Sequence, residues 1–105
     1  MSAERDIKLS IKKLLDKLGI DSWRMQAGGY RGRTRGLPKG TPDLLAAPSI
    51  GAMPIFLWIE TKSPSGIPTK DQLTFADEKR KKGHYWIIAR SADDVLDWLK
   101  QNRAR

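Results

Sequence analysis

Five successive apolar residues, Ile55-Phe56-Leu57-Trp58-Ile59, run directly into Glu60-Thr61-Lys62. The stretch 55–62 reads as a buried strand with charge at its mouth. Strand side chains alternate faces, so Glu60 and Lys62 project to one side and Thr61 to the other. An acid and a lysine at the end of a greasy strand are costly to desolvate unless they meet partners or a metal. A second short stretch, Gly40-Thr41-Pro42-Asp43, supplies another carboxylate upstream. Together these constrain the chain to a fold that brings two strands side by side around a polar site.

The bulk numbers narrow the class. With 105 residues, the chain is expected to form one domain, 1–105, with a modest core. A hydrophobic content of 39% that includes four tryptophans argues against global disorder. Lys and Arg total 20 against 12 Asp and Glu, a net charge of +8, which implies a polyanionic partner, with nucleic acid ahead of membrane. The absence of cysteine excludes disulfides and thiolate zinc sites and fits a reducing compartment. No apolar stretch approaches the roughly 20 residues that span a bilayer, and the start of the chain, charged from Glu4, does not resemble a signal peptide. The expectation is a cytoplasmic protein that is not secreted and makes no membrane contact.

Local patterns order the elements. Ile7, Ile11, Leu14, Leu15 and Leu18 recur at helical spacing, and Gly19 is placed to end a helix over 3–18. Residues 20–26 read as a strand, and 28–40, with five glycines and four basic residues, as a loop. A short strand follows over 43–47, then a turn over 48–54, then the 55–62 strand. Thr69-Lys70-Asp71-Gln72 matches a capping box and opens a helix over 70–82 that Gly83 closes. Residues 84–89 form an apolar strand, and Ser91 opens a last helix with Val95, Leu96, Trp98 and Leu99 as its buried stripe. The order is α-β-β-β-α-β-α, an α/β fold with a mixed sheet whose last strand returns beside the central one. The first and second helices are expected to cover that sheet.

This topology sets Asp43 and Glu60 on neighbouring strands, within reach of one ion. Hydrolysis of a phosphodiester needs a positioned water, neutralisation of charge on phosphate oxygens and a stabilised leaving oxygen. Mg2+ or Mn2+ supplies much of this when one or two carboxylates and the substrate phosphate hold it. Lys62 adds a fixed positive charge able to meet the attacking water or the phosphate. Pro42 keeps the backbone extended before Asp43.

The same residues resemble the VRR-NUC domains, the virus-type replication-repair nucleases of the PD-(D/E)XK superfamily. Gly36-Leu37-Pro38-Lys39-Gly40-Thr41-Pro42-Asp43 resembles that family's glycine-rich approach to its Pro-Asp motif, and Ile59-Glu60-Thr61-Lys62 its Glu-x-Lys strand. Thr69 to Phe75 is similar to its glutamine-containing helix start, and Ala89-Arg90-Ser91 to its last strand end. The likeness runs from Glu4 to Leu99 and implies a restriction-endonuclease-like core in a stand-alone domain. It implies that Asp43, Glu60 and the backbone carbonyl of Thr61 ligate the metal and that Lys62 is the catalytic lysine. It further implies that Glu4, on the first helix, helps order the metal site, and that Gln72 lies near it. Gln72 is at the same time the N3 member of the capping box.

Arg31, Arg33, Arg35 and Lys39 lead into Asp43 and are expected to grip DNA phosphates, with Tyr30 placed to stack on an exposed base. Lys79 to Lys82 read as a solvated helix end, His84 as structural, and Trp58, Trp86 and Trp98 as core, with Trp23 nearer the surface. The whole reads as a Mg2+- or Mn2+-dependent endodeoxyribonuclease. The resemblance implies structure selectivity on branched DNA such as four-way (Holliday) junctions, and a symmetric junction calls for a homodimer. The alternative is a non-catalytic, basic nucleic-acid-binding module whose carboxylates are structural.

Overall fold

A computed structural model describes residues 3–25 and 36–105 of the chain. Helix α1 (Ala3–Lys17) is followed by strands β1 (Ser22–Arg24) and β2 (Leu44–Ala46). Two very short strands, β3 (Ser49–Ile50) and β4 (Met53–Pro54), precede β5 (Leu57–Thr61), α2 (Lys70–Lys81), β6 (Tyr85–Ala89) and α3 (Ala92–Gln101). The main sheet has the order β1-β2-β5-β6. Its first three strands pair antiparallel, and β6 joins β5 in parallel after the α2 crossover. This is the mixed sheet that the hydrophobic pattern predicts.

The caps behave as written in the sequence. Thr69 accepts from the Gln72 amide at 3.2 Å and Gln72 Oε1 accepts from the Thr69 amide at 2.8 Å, completing the box. Ser91 caps α3 through the Asp94 amide. Gly19, at φ +72, ends α1.

Two expectations need correction. Residues 48–54 do not simply turn: β3 and β4 form a separate two-stranded ribbon. The final residues are stitched to it, Ser49 and Arg105 exchanging backbone hydrogen bonds of 2.7 and 2.8 Å. The expected covering is also incomplete: the first and second helices do cover the sheet, on opposite faces, and the last helix joins the first. Ile11 and Leu15 of α1 and Val95 and Leu99 of α3 pack with Leu44, Ala46, Leu57, Ile59 and Ala89 in one core. Phe75 and Ala76 of α2 pack with Trp58, Trp86 and Ile88 on the other face. The last helix therefore shares a face with the first, its Val95 and Leu99 packed into the same core as Ile11 and Leu15. Lys12 anchors α1 to β1 through the Ser22 hydroxyl and carbonyl, at 2.7 and 3.0 Å.

The tryptophans sort as their spacing predicts: Trp86 is buried, Trp58 and Trp98 are part-buried, and Trp23 is 49% exposed. His84 is structural in its contacts. Its Nδ1 accepts from Trp58 Nε1 at 2.9 Å, and its ring meets Phe56 edge-on. Burial, then Lys79 and Lys82, hold its pKa below the usual histidine value. No described helix is long and apolar enough to cross a membrane.

Removing the α2 cap should be measurable without touching the core. Thr69→Ala is expected to lower stability by about 1 kcal/mol in urea unfolding, with an unchanged m-value.

Candidate active site

The site follows from the register of β2 on β5. Leu44 faces Ile59, Leu45 faces Trp58 and Ala46 faces Leu57. Continuing that register by one residue sets Asp43 opposite Glu60 on the same face, where cross-strand Cβ atoms lie about 5 Å apart. The ladder also continues outward on the other side of Asp43, whose carbonyl accepts from the Met25 amide at 2.8 Å.

The chain enters this position through a tight turn. Thr41 bonds the Pro38 carbonyl through both its hydroxyl, at 2.6 Å, and its amide, at 3.3 Å. Gly40 sits between them at φ +84, facing the first turn of α2. A Cβ here would collide with the Asp71 carbonyl and fall 2.9 Å from the Gln72 nitrogen. Glycine is therefore required twice, for its conformation and for the close approach. Pro42 beyond it is fully buried. The helix start carrying Gln72 is thus packed against the turn that delivers Asp43.

Asp43 is oriented by Thr61. Its Oδ2 accepts from the Thr61 hydroxyl at 2.6 Å and from the Thr61 amide at 3.0 Å. Two donors on one oxygen orient the carboxylate. Glu60 has no such help. It is 3% exposed, and its Oε1 is buried without a hydrogen-bond partner. Burial, the charge of Asp43 and a hydrogen bond shared with Asp43 push its pKa up to about 8, against the opposing charge of Lys62. The charge of Glu4, on α1, adds the smallest push in the same direction. Lys62 is 9% exposed, its amide extending the β5–β6 ladder to the Ala89 carbonyl at 3.2 Å. Among the described residues its amine forms no ion pair.

Asp43 and Glu60 therefore meet, with the charges of Lys62 and Glu4 both felt by Glu60, and the Gln72 backbone lies directly against Gly40. Gln72 Oε1 is committed to the cap, which is the structural half of its expected double role. Lys39 is exposed in the turn before Asp43. Tyr30, Arg31, Arg33 and Arg35 lie outside the described residues. Sequence reasoning missed the Thr61 side chain, treated only as a carbonyl donor, and Arg90, which binds the loop after Lys62 through the carbonyls of Ser63 and Gly66 at 2.6 and 2.8 Å. Neither role has a local signature; both depend on contacts across strands.

A divalent cation fits these residues. A buried carboxylate oxygen with no donor, beside a second carboxylate, is a site short of positive charge. Among the described residues, no group of three or more His, Cys, Asp and Glu forms a metal cage. Two carboxylates with substrate phosphate and water suit Mg2+ or Mn2+ better than a closed zinc site.

The electrostatics give a pH signature. Glu60 holds its proton more tightly in the folded chain, with a pKa of about 8, than an ordinary glutamate does at 4.5. Its stabilising contribution is therefore complete below about pH 4.5 and is lost as pH rises through 8. In EDTA, the Tm of the wild type relative to Glu60→Gln is expected to fall between pH 5 and 9, measured by calorimetry. At pH 8, added Mn2+ should raise the Tm of the wild type more than that of the variant. A pH-independent difference would contradict this account of Glu60.

No family model and no curated protein matches the sequence. Solved structures do. One described as a VRR_NUC domain is 24% identical and aligns over 96% of this chain and 97% of its own, with a TM-score of 0.68. Another, a VRR_NUC domain protein, is 19% identical over 97% of this chain and 88% of its own, with a TM-score of 0.64. Backbone agreement over nearly the full length, at identities this low, is agreement of architecture: the chain has the fold of a VRR_NUC domain.

Proposed function

We propose that the chain is an endodeoxyribonuclease that hydrolyses phosphodiester bonds with Mg2+ or Mn2+. The observation that carries this reading is the buried Glu60 carboxylate, its Oε1 without a partner, set beside an Asp43 that Thr61 has already oriented. A structural ion pair would have satisfied that oxygen, whereas a binding module has no use for a desolvated acid. The solved neighbours that carry VRR_NUC in their descriptions support the same class.

In this reading Asp43, Glu60 and the Thr61 carbonyl hold the metal, which when bound supplies Lewis acidity to the scissile phosphate and its attacking water. Thr61 performs a second task, keeping Asp43 aimed while the charge distribution changes. Lys62 holds the attacking water or a phosphate oxygen with an amine that no neighbouring acid has claimed. Glu4 tunes the pair from α1, and Gln72 acts through the helix start that braces the Asp43 turn. Arg31, Arg33, Arg35, Lys39 and Tyr30 contact DNA backbone and bases. Phosphate contacts carry no sequence information, so recognition is by shape. Branched DNA, with the four-way junction as the model substrate, is the preferred substrate class, and its two-fold symmetry is matched by a homodimer.

Asp43→Ala, Glu60→Ala and Lys62→Ala are each expected to lower cleavage by at least roughly 100-fold while leaving DNA affinity within a few-fold of wild type. Gel assays on duplex, flap, splayed and four-way substrates, with Mg2+, Mn2+ or EDTA, check this. Wild-type rates in all three variants would overturn the site assignment, whereas a wild type that binds DNA but cuts none of these substrates would establish the non-catalytic binding module. Gly40→Ala should lower cleavage and stability together, since its Cβ has no room against α2.

A further inference from the structure

A lysine amine acts on a particular water only if its long stem is held, and free lysine carries about 2 kcal/mol of rotamer entropy. Lys62 has no ion pair to hold it among the described residues. The loop that follows passes beside that stem: a Cβ added to Gly66 would lie 3.4 Å from Lys62 Cδ, at van der Waals distance. The loop is closed by the Gly66 amide on the Ser63 carbonyl at 3.0 Å.

Arg90 ties both ends of that loop. Its Nη1 donates to the Ser63 carbonyl at 2.6 Å and the Gly66 carbonyl at 2.8 Å, with the Pro64 carbonyl farther off at 3.4 Å. The arginine is itself anchored, its amide donating to Asp94 Oδ2 at 2.8 Å. The preceding residue, Ala89, receives the Lys62 amide. The contacts thus close a circuit from Lys62 through 63–66 to Arg90 and back through the β5–β6 ladder. Charge-assisted bonds to two backbone carbonyls are stronger than neutral ones, and both come from the single Nη1 nitrogen, so an ammonium that reached the same point would restore part of them.

We propose that Arg90 is a positioning residue for Lys62: by clamping the 63–66 loop it holds the Lys62 amine at the Asp43–Glu60 pair. Arg90 does not meet the reacting atoms. The catalytic consequence rests on the function proposed above, but the positioning itself does not.

The test compares wild type, Arg90→Ala, Arg90→Lys and Gly66→Ala. The first measurement is the acetylation rate of the Lys62 amine by a small amine-reactive reagent, mapped by mass spectrometry without DNA or metal. The second is steady-state cleavage of the best substrate. Arg90→Ala should label Lys62 several-fold faster and lose roughly 10- to 100-fold in kcat with little change in KM, as expected for a misplaced reacting group. Arg90→Lys should recover only part of each. Gly66→Ala leaves Arg90 intact but puts a Cβ 3.0 Å from Ser63 Oγ and against the Lys62 stem, so it should shift labelling too. Unchanged Lys62 labelling in folded Arg90→Ala overturns the proposal; if that variant does not fold, unchanged labelling in Gly66→Ala does so. Altered labelling in a protein that cleaves no substrate supports the clamp and removes the nuclease reading instead.

Discussion

The pairing of β2 with β5 is the constraint from which the rest follows. Leu44, Ala46, Leu57 and Ile59 are all buried against α1 and α3, and a slip of one residue would turn each of them outward. The apolar core thus locks the register, and the register forces Asp43 and Glu60 into the same row. Two acids side by side in a desolvated place are unfavourable by themselves. Thr61 relieves one of them with two donors, whereas the other keeps an Oε1 without a hydrogen-bond partner among the described residues and is opposed only by the charge of Lys62. The hydrophobic packing therefore creates an electrostatic deficit of fixed position and sign.

That deficit is surrounded by backbone that has little freedom to relax. Gly40 is pressed against the start of α2, Pro42 is buried, and Arg90 holds the loop beyond Lys62. Each support comes from a different element, so the site rests on the turn before β2, the loop after β5, the end of β6 and the start of α2 together. Such bracing suits a constellation whose parts would otherwise separate in response to repulsion or solvation.

Much of this was legible in the sequence because the signals were local. The 55–62 run, the capping box at Thr69 and the stripes of α1 and α3 depend on spacing alone, and each element stands within a residue or two of its expected bounds. The proximity of Asp43 and Glu60 was also readable, since two short strands in sequence leave few pairings. The ribbon at 49–54 was not, because its two strands are only two residues each, too short to show a period, and its outer side is held by the distant Ala104 and Arg105. Nor was the side of the sheet that α3 takes, as α2 and α3 both carry apolar faces and only packing decides between them. The Thr61 hydroxyl and the Arg90 guanidinium escaped for a related reason: a threonine in a strand and an arginine after one are commonplace until their partners 18 and 24 to 27 positions away are in place.

The hydrogen bonds between Ser49 and Arg105 bind the C-terminal residues to the ribbon at the end of the sheet away from Asp43. Helix α1, by contrast, begins beside the carboxylate pair, with Glu4 close enough to be felt by Glu60. The two termini are therefore unequal as handles. A fluorophore or surface tether joined after residue 105 would leave from the ribbon, whereas the same attachment ahead of Ala3 would sit on the helix that carries Glu4.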